Sequence, residues 1–264
     1  MATKKETAAP ASEADSKALA NIPKHLQQHV GSTTGQEEVS ADDLAVPRIS
    51  LVQALTPARD KSSDAYIEGL EEGDVYNTLT EDIYGKEITC IPCYYRREYQ
   101  IWKKKRSGSG GFYGSYDEGA EAAKQLKVEE ADRDLQGQLE VMEVPVFFVL
   151  VVTPDGLIEA VVSMPRTKAK IAKRWNSLIR LTQMPSFASL YTLSSVNDEN
   201  DQGKFFNFAV KGDGYASETQ FAAGEKLYEA VKSGNKKAAP EEAYDGTEAD
   251  GRTADTEGGA NPTY

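Results

Sequence analysis

The sequence predicts a mainly β fold with flanking helices. Three observations carry that expectation. Runs rich in β-branched and aromatic residues, such as "VMEVPVFFVLVV" (141–152) and "KFFNFAV" (204–210), recur through the second half of the chain. Polar turn sequences, "TPDG" and "NDENDQG", separate neighbouring runs. A helical period is clear only in two segments of that half, one between strand runs and one after them.

The elements follow in order. Residues 46–55, "VPRISLVQAL", read as a β-rich entry segment, and "DVYNTLTEDIYG" (74–85) as a hairpin or two short edge strands. "KEITCIPCYYRREYQIW" (86–102) is a long strand, bent at Pro92. Residues 103–140 form a Gly-rich and acidic loop with a helical stretch in "EGAEAAKQLKVEEADRDLQ". "VMEVPVFFVLVV" and "LIEAVVSM" pair as a hairpin around "TPDG". "PRTKAKIAKRWNSLIRLTQM" (165–184) is a helix with proline near its start. "FASLYTLSSV" and "KFFNFAV" are the last two strands. Ser217 and Gln220, in capping-box spacing, open a closing helix over 217–233. From residue 86 the order is strand, strand, strand, helix, strand, strand. That is the chain order of an OB-fold-like five-stranded barrel with a helix between strands three and four.

Composition divides the chain further. Its 264 residues are 27% charged with a net charge of -12, which suits one domain with polar extensions. Residues 240–264 hold seven Asp/Glu against one Arg and almost no large apolar groups, so they cannot bury enough surface to offset their ordering entropy. The expected organisation is an N-terminal extension at 1–43 carrying a short helix at "KHLQQHV", a domain at 44–236 with its barrel core at 86–210, and a disordered acidic tail at 237–264. No apolar run is long enough to cross a bilayer and no secretory leader is evident, so an intracellular, cytoplasmic protein is expected.

Catalytic and metal signatures are weak. Phosphate-loop, G-x-S-x-G and H-E-x-x-H motifs are missing, and the two histidines, His25 and His29, lie outside the expected core. Cys90 and Cys93 fall on opposite faces of an unbroken strand and read as small buried side chains. No enzyme activity, metal or cofactor is expected.

Binding is the better match. Residues 86–116 carry seven Lys/Arg against two Glu, interleaved with Tyr94, Tyr95, Tyr99, Trp102, Phe112, Tyr113 and Tyr116. Cations that follow phosphates and rings that stack bases are what sequence-tolerant single-strand binders combine. Simple alternation groups Tyr95, Tyr99 and Ile101 with Ile91 and Cys93 as core, leaving Tyr94, Arg96 and Trp102 facing ligand, and a bulge would invert that choice. Arg97, Lys103, Lys104, Lys105 and Arg106 add charge, and "SGSGGFYG" would present Phe112 and Tyr113 on a mobile loop. From Ala160 to Asn197 six Lys/Arg occur without one Asp or Glu. Arg166, Lys170, Lys173, Arg174 and Arg180 lie on the polar arc of the helix, which is either an ordinary solvated face or a phosphate track with Lys170, Lys173 and Arg174 as its candidates, while Trp175 lies on its apolar arc. In "KFFNFAV", Phe206, Phe208 and Val210 share the core face, which leaves Phe205 as a stacking candidate.

These parts resemble the single-stranded DNA-binding proteins of tailed bacteriophages, which join an OB-fold core to an acidic tail ending in an aromatic residue. Here the tail is "EEAYDGTEADGRTADTEGGANPTY", ending at Tyr264, and "PRISLVQALTPARD" and "GDVYNTLTEDIYGKE" also look like stretches in phage-encoded proteins of this kind. The resemblance implies a sequence-independent single-stranded DNA-binding protein for phage replication or recombination in the host cytoplasm. It implies a tail that docks on replication proteins such as polymerase and helicase, and that competes for the DNA groove. A homodimer and the choice between DNA and RNA stay open. The rival reading is a protein-interaction or virion-associated β protein whose basic face binds an acidic partner.

Overall fold

A computed structural model of the chain describes residues 23–29, 32, 34–39, 45–104, 111–200 and 203–238. After a single turn of helix, α1 (Lys24–Gln27), come β1 (Ala45–Val46), β2 (Arg48–Leu51), β3 (Val75–Asn77), β4 (Ile83–Gly85), β5 (Glu87–Lys103) and β6 (Phe112–Tyr116). Then follow α2 (Gly119–Glu129), β7 (Leu139–Thr153), β8 (Gly156–Ser163), α3 (Ala169–Leu181), β9 (Ser189–Asn200), β10 (Gly203–Tyr215), α4 (Glu218–Lys232) and β11 (Lys237–Ala238). The fold is mainly β. The expected acidic tail, apart from its first residues, and most of the N-terminal extension lie outside the described residues.

One large sheet runs in the order β10-β9-β5-β7-β8-β2-β3-β4, with β6 pairing β5 off that path, and β1 pairs β11 in a separate parallel ribbon. The long strands are antiparallel neighbours, whereas β2 joins β8 in parallel through Arg48 and Ile49. The expected five-strand closure is not what this sheet makes. Among the described residues β8 pairs β2 rather than β10, and the entry segment thereby extends the sheet by three strands. The sheet curls until β10 meets the loop beyond β2, where the Gln53 side-chain amide donates to the Phe206 carbonyl at 2.8 Å and accepts from the Phe206 N–H at 2.9 Å. Gly73 permits that approach, with φ +76° and a position where a Cβ would lie 2.6 Å from the Phe206 ring.

Both faces of the sheet are covered, which explains the unbroken apolar run of β7: Val144 to Val151 are all buried. One face packs Phe147, Val149, Leu193 and Phe208 against Ala172 and Trp175 of α3. The other packs Ile91, Cys93, Phe148 and Val161 against Leu227 and Val231 of α4. Ser217 caps α4 in a reciprocal capping box with Gln220, as the spacing predicts.

The alternation expected for β5 is broken. A register shift between Pro92 and Tyr94 inserts a bulge, so Tyr94, Arg96 and Trp102 take the face of Ile91 and Cys93. Proline has no N–H to give the ladder, which makes this a natural place for the slip. Trp102, expected to face ligand, is therefore 8% exposed, with its indole N–H on Gln100 at 2.9 Å and its ring 5.1 Å from Phe112. Tyr94 is half-buried against Phe148 and the α4 residue Tyr228. Tyr95, expected in the core, is 36% exposed. Within the expected loop over 103–140 the helical stretch forms as α2, while Phe112–Tyr116, expected on a mobile loop, instead returns along β5 as β6.

Candidate nucleic-acid interface

The basic and aromatic stretch of β5 is mostly engaged within the protein. Glu98 is 1% exposed, and its carboxylate accepts from Arg48 of β2 at 3.1 Å and from Arg96 at 2.8 Å. Burial pushes the Glu98 carboxyl up, but the Arg48 and Arg96 guanidiniums outweigh it and hold it below the usual carboxylate range. Arg48 also donates to Ser163 of β8, and Arg96 reaches Asp117 at 3.2 Å and lies over the Phe148 ring at 5.3 Å. Arg97 pairs with Glu143 of β7 at 3.1 Å, and the Lys104 ammonium donates to the Gly137 carbonyl at 2.9 Å. Lys103, Phe112 and Tyr113 are half-buried, Phe112 against Trp102, and Lys105 and Arg106 lie outside the described residues.

Helix α3 differs. Its apolar side seats Trp175 on Phe147 with ring centroids 4.3 Å apart. Its opposite side exposes Lys170, Lys173, Arg174 and Arg180. Lys170 pairs with Asp198 of β9 at 3.0 Å, and Asp198 is held below its ordinary range by hydrogen bonds from Asn207 and then Lys170. Lys173, Arg174 and Arg180 make no ion pair among the described residues. At 100° per residue Lys173, Arg174, Ser177, Arg180 and Leu181 share one stripe about 120° wide. Phe205, on β10 opposite Asp198, is half-buried and belongs to neither group.

The stripe leads into a groove of about 1180 Å³ lined by Tyr95, Phe147, Ile179, Arg180, Leu181 and Met184. The groove sits where β5 forks. On the side away from β7, β9 pairs residues 87–90 and β6 pairs residues 99–102, so among the described residues no strand occupies the edge at 91–98. Among the described residues Arg180 is the charged residue of the lining, and no carboxylate contributes to it. Tyr95 rests on Phe147 with centroids 5.0 Å apart, and Phe147 on Trp175, making a column of three rings from solvent to core. The Arg97 Nε lies 3.5 Å from the Tyr95 hydroxyl.

Thus the structure brings together Lys173 and Arg174 with Arg180 of the same arc and with two residues that sequence reasoning did not place at the site, Tyr95 and Met184. Tyr94 also lines the groove beside Tyr95, whereas Trp102 and Phe205 do not line it. One signal was present, because Leu181 is an apolar residue on the polar arc of α3 and is 78% exposed.

Cys90 and Cys93 are buried and unlinked, and burial raises both thiols, Cys93 to about 12. Among the described residues no group of three or more His, Cys, Asp or Glu is placed to hold a metal ion, and no helix is long and apolar enough to cross a membrane.

Comparison with known proteins adds a lineage. No curated protein and no solved structure matches the chain. One family does, described as Pam3 phage gp34-like protein, and its match covers residues 14–237, from the N-terminal extension through β11. With most of its length matched, the chain belongs to this family of phage proteins.

Proposed function

We propose that the protein binds single-stranded DNA without sequence preference and serves phage DNA replication or recombination. The observation that carries this reading is the α3 stripe: Lys173, Arg174 and Arg180 are exposed cations with no carboxylate partner among the described residues, in an acidic chain whose Arg96, Arg97 and Lys170 are each paired with one. Such a stripe attracts phosphates while the chain as a whole repels them. The pairings β5–β7, β7–β8, β5–β9 and β9–β10, with α3 between the third and fourth strands of that set, support an OB-like core whose closure is taken over by β2. The reading includes no catalytic step. Its partners would be replication proteins contacted through the acidic tail.

The test is a gel shift or anisotropy titration of the full chain with single- and double-stranded oligonucleotides across salt concentrations. Preference for the single strand, with log affinity falling linearly in log salt, is the expected result. Affinity that does not change between low and moderate salt would remove the electrostatic basis. Deleting residues 240–264 is expected to tighten binding, since a tethered polyanion competes at high effective concentration.

A further inference from the structure

We infer that the groove at the fork of β5 is the base-stacking subsite, and that it takes the bases of a passing single strand with Tyr95 as its platform. The inference rests on the single-strand reading and names where the bases go. It places them on neither the β6 hairpin nor the turn between β9 and β10, which are the two loops that the strand order would put beside a barrel's ligand face.

Four features point to this occupant. Shape comes first: at about 1180 Å³ the groove exceeds the roughly 300–1,000 Å³ of sites that enclose one drug-sized molecule, so a chain running through it fits better than one small ligand. Next is the platform. Tyr95 presents a partly exposed ring backed by Phe147 and Trp175, both buried, so little mobility is lost when a base settles on it. Charge is third. The approach to the groove passes Lys173 and Arg174 and its wall carries Arg180, with no carboxylate in the lining. Rising about 1.5 Å per residue, α3 spaces Arg174 and Arg180 about 9 Å apart along its axis, at the two edges of the stripe. The fourth is polarity in the lining, where Asn176 offers an amide and Ser177, whose hydroxyl donates to the Lys173 carbonyl, offers an acceptor oxygen to base edges. An acidic peptide could use the cations, but it would have no need of a ring platform.

The test compares oligo-dT with an abasic oligonucleotide of the same length, on the full chain and on two variants. Tyr95→Leu removes the platform and keeps every cation. Leu181→Glu alters a side chain that is 78% exposed, so it spares the fold while placing a carboxylate at the groove mouth. Tyr95→Leu is expected to weaken oligo-dT binding by about 5- to 100-fold, one stacked base's worth, and to leave abasic binding nearly unchanged. Leu181→Glu is expected to weaken both. Oligo-dT binding that persists undiminished in both variants would overturn the subsite, leave the single-strand reading standing, and return the groove to a protein partner. Equal losses on both oligonucleotides with Tyr95→Leu would make Tyr95 structural and likewise overturn it. If the unaltered chain binds neither oligonucleotide at low salt, the single-strand reading falls and the subsite falls with it.

Discussion

Strand β5 and helix α3 are the two basic regions of this protein, and they put their charge to opposite uses. In β5 the cations are spent internally. Arg96 is shared between Glu98 and Asp117, Arg97 faces Glu143, and the aromatic residues around them pack against β7, β6 and α4. In α3 three of the four cations, Lys173, Arg174 and Arg180, make no ion pair among the described residues. The lesson is that a count of basic residues measures charge, whereas the available field depends on which carboxylates the fold brings alongside. A conspicuous basic and aromatic run can be a buried brace, while a plainer helix face keeps its charge for a partner.

The sharpest way to break this contrast is at Glu98. If β5 is a brace, Glu98→Gln removes the buried carboxylate that Arg48 and Arg96 share and should cost about 3–5 kcal/mol of stability, read as a lower denaturant midpoint. The pH dependence follows from the direction of the shift. Folding lowers the Glu98 pKa, so its contribution is present in full above the ordinary carboxylate value of about 4.3 and is lost as pH falls through and below it. The unaltered protein should therefore lose stability on acidification more steeply than Glu98→Gln does. A variant as stable as the parent would mean that the network braces nothing.

Next in size is the effect of neutralising α3. Lys173→Gln, Arg174→Gln and Arg180→Gln together should reduce the salt slope of single-strand binding by about 2, at roughly 0.7 for each phosphate left without its cation, and weaken binding more than tenfold at low salt. Because these side chains are exposed and unpaired, thermal stability should shift little. An unchanged slope would move the phosphate track elsewhere, for instance to the segment around Lys105 and Arg106.

Much of the fold was legible in the sequence for a physical reason. Strand β7 is covered on both faces and shows it as a continuous apolar run, α4 announces its start with Ser217 and Gln220, and Trp175 lies on the apolar arc that meets Phe147. The site was less legible because it turns on one extra residue. The slip at Pro92 exchanges the faces of Tyr94 and Tyr95, and a pattern of period two cannot report its own interruption. Charge pairing across strands was also hidden. Glu143 lies far along the chain from Arg97, and only the β5–β7 register brings them together. The entry strand β2 reaches Glu98 through the same kind of long-range closure.

The smallest expected effect is also the most direct probe of the contrast, since it converts a neutralised cation into a free one. Arg97 sits beside Tyr95 at the groove but is held by Glu143, and both side chains are about half exposed. An exposed pair of this kind contributes at most about 1 kcal/mol to stability, so Glu143→Gln should leave the fold nearly unaltered. It should release Arg97 to the ligand, steepen the salt slope by about 0.7, and tighten single-strand binding severalfold at low salt. Unchanged binding would mean that Arg97 lies off the strand's path even when free, which would confine the track to α3. Weaker binding would mean that the Arg97–Glu143 pair orients Tyr95, which would make the β5 brace part of the site rather than its contrast.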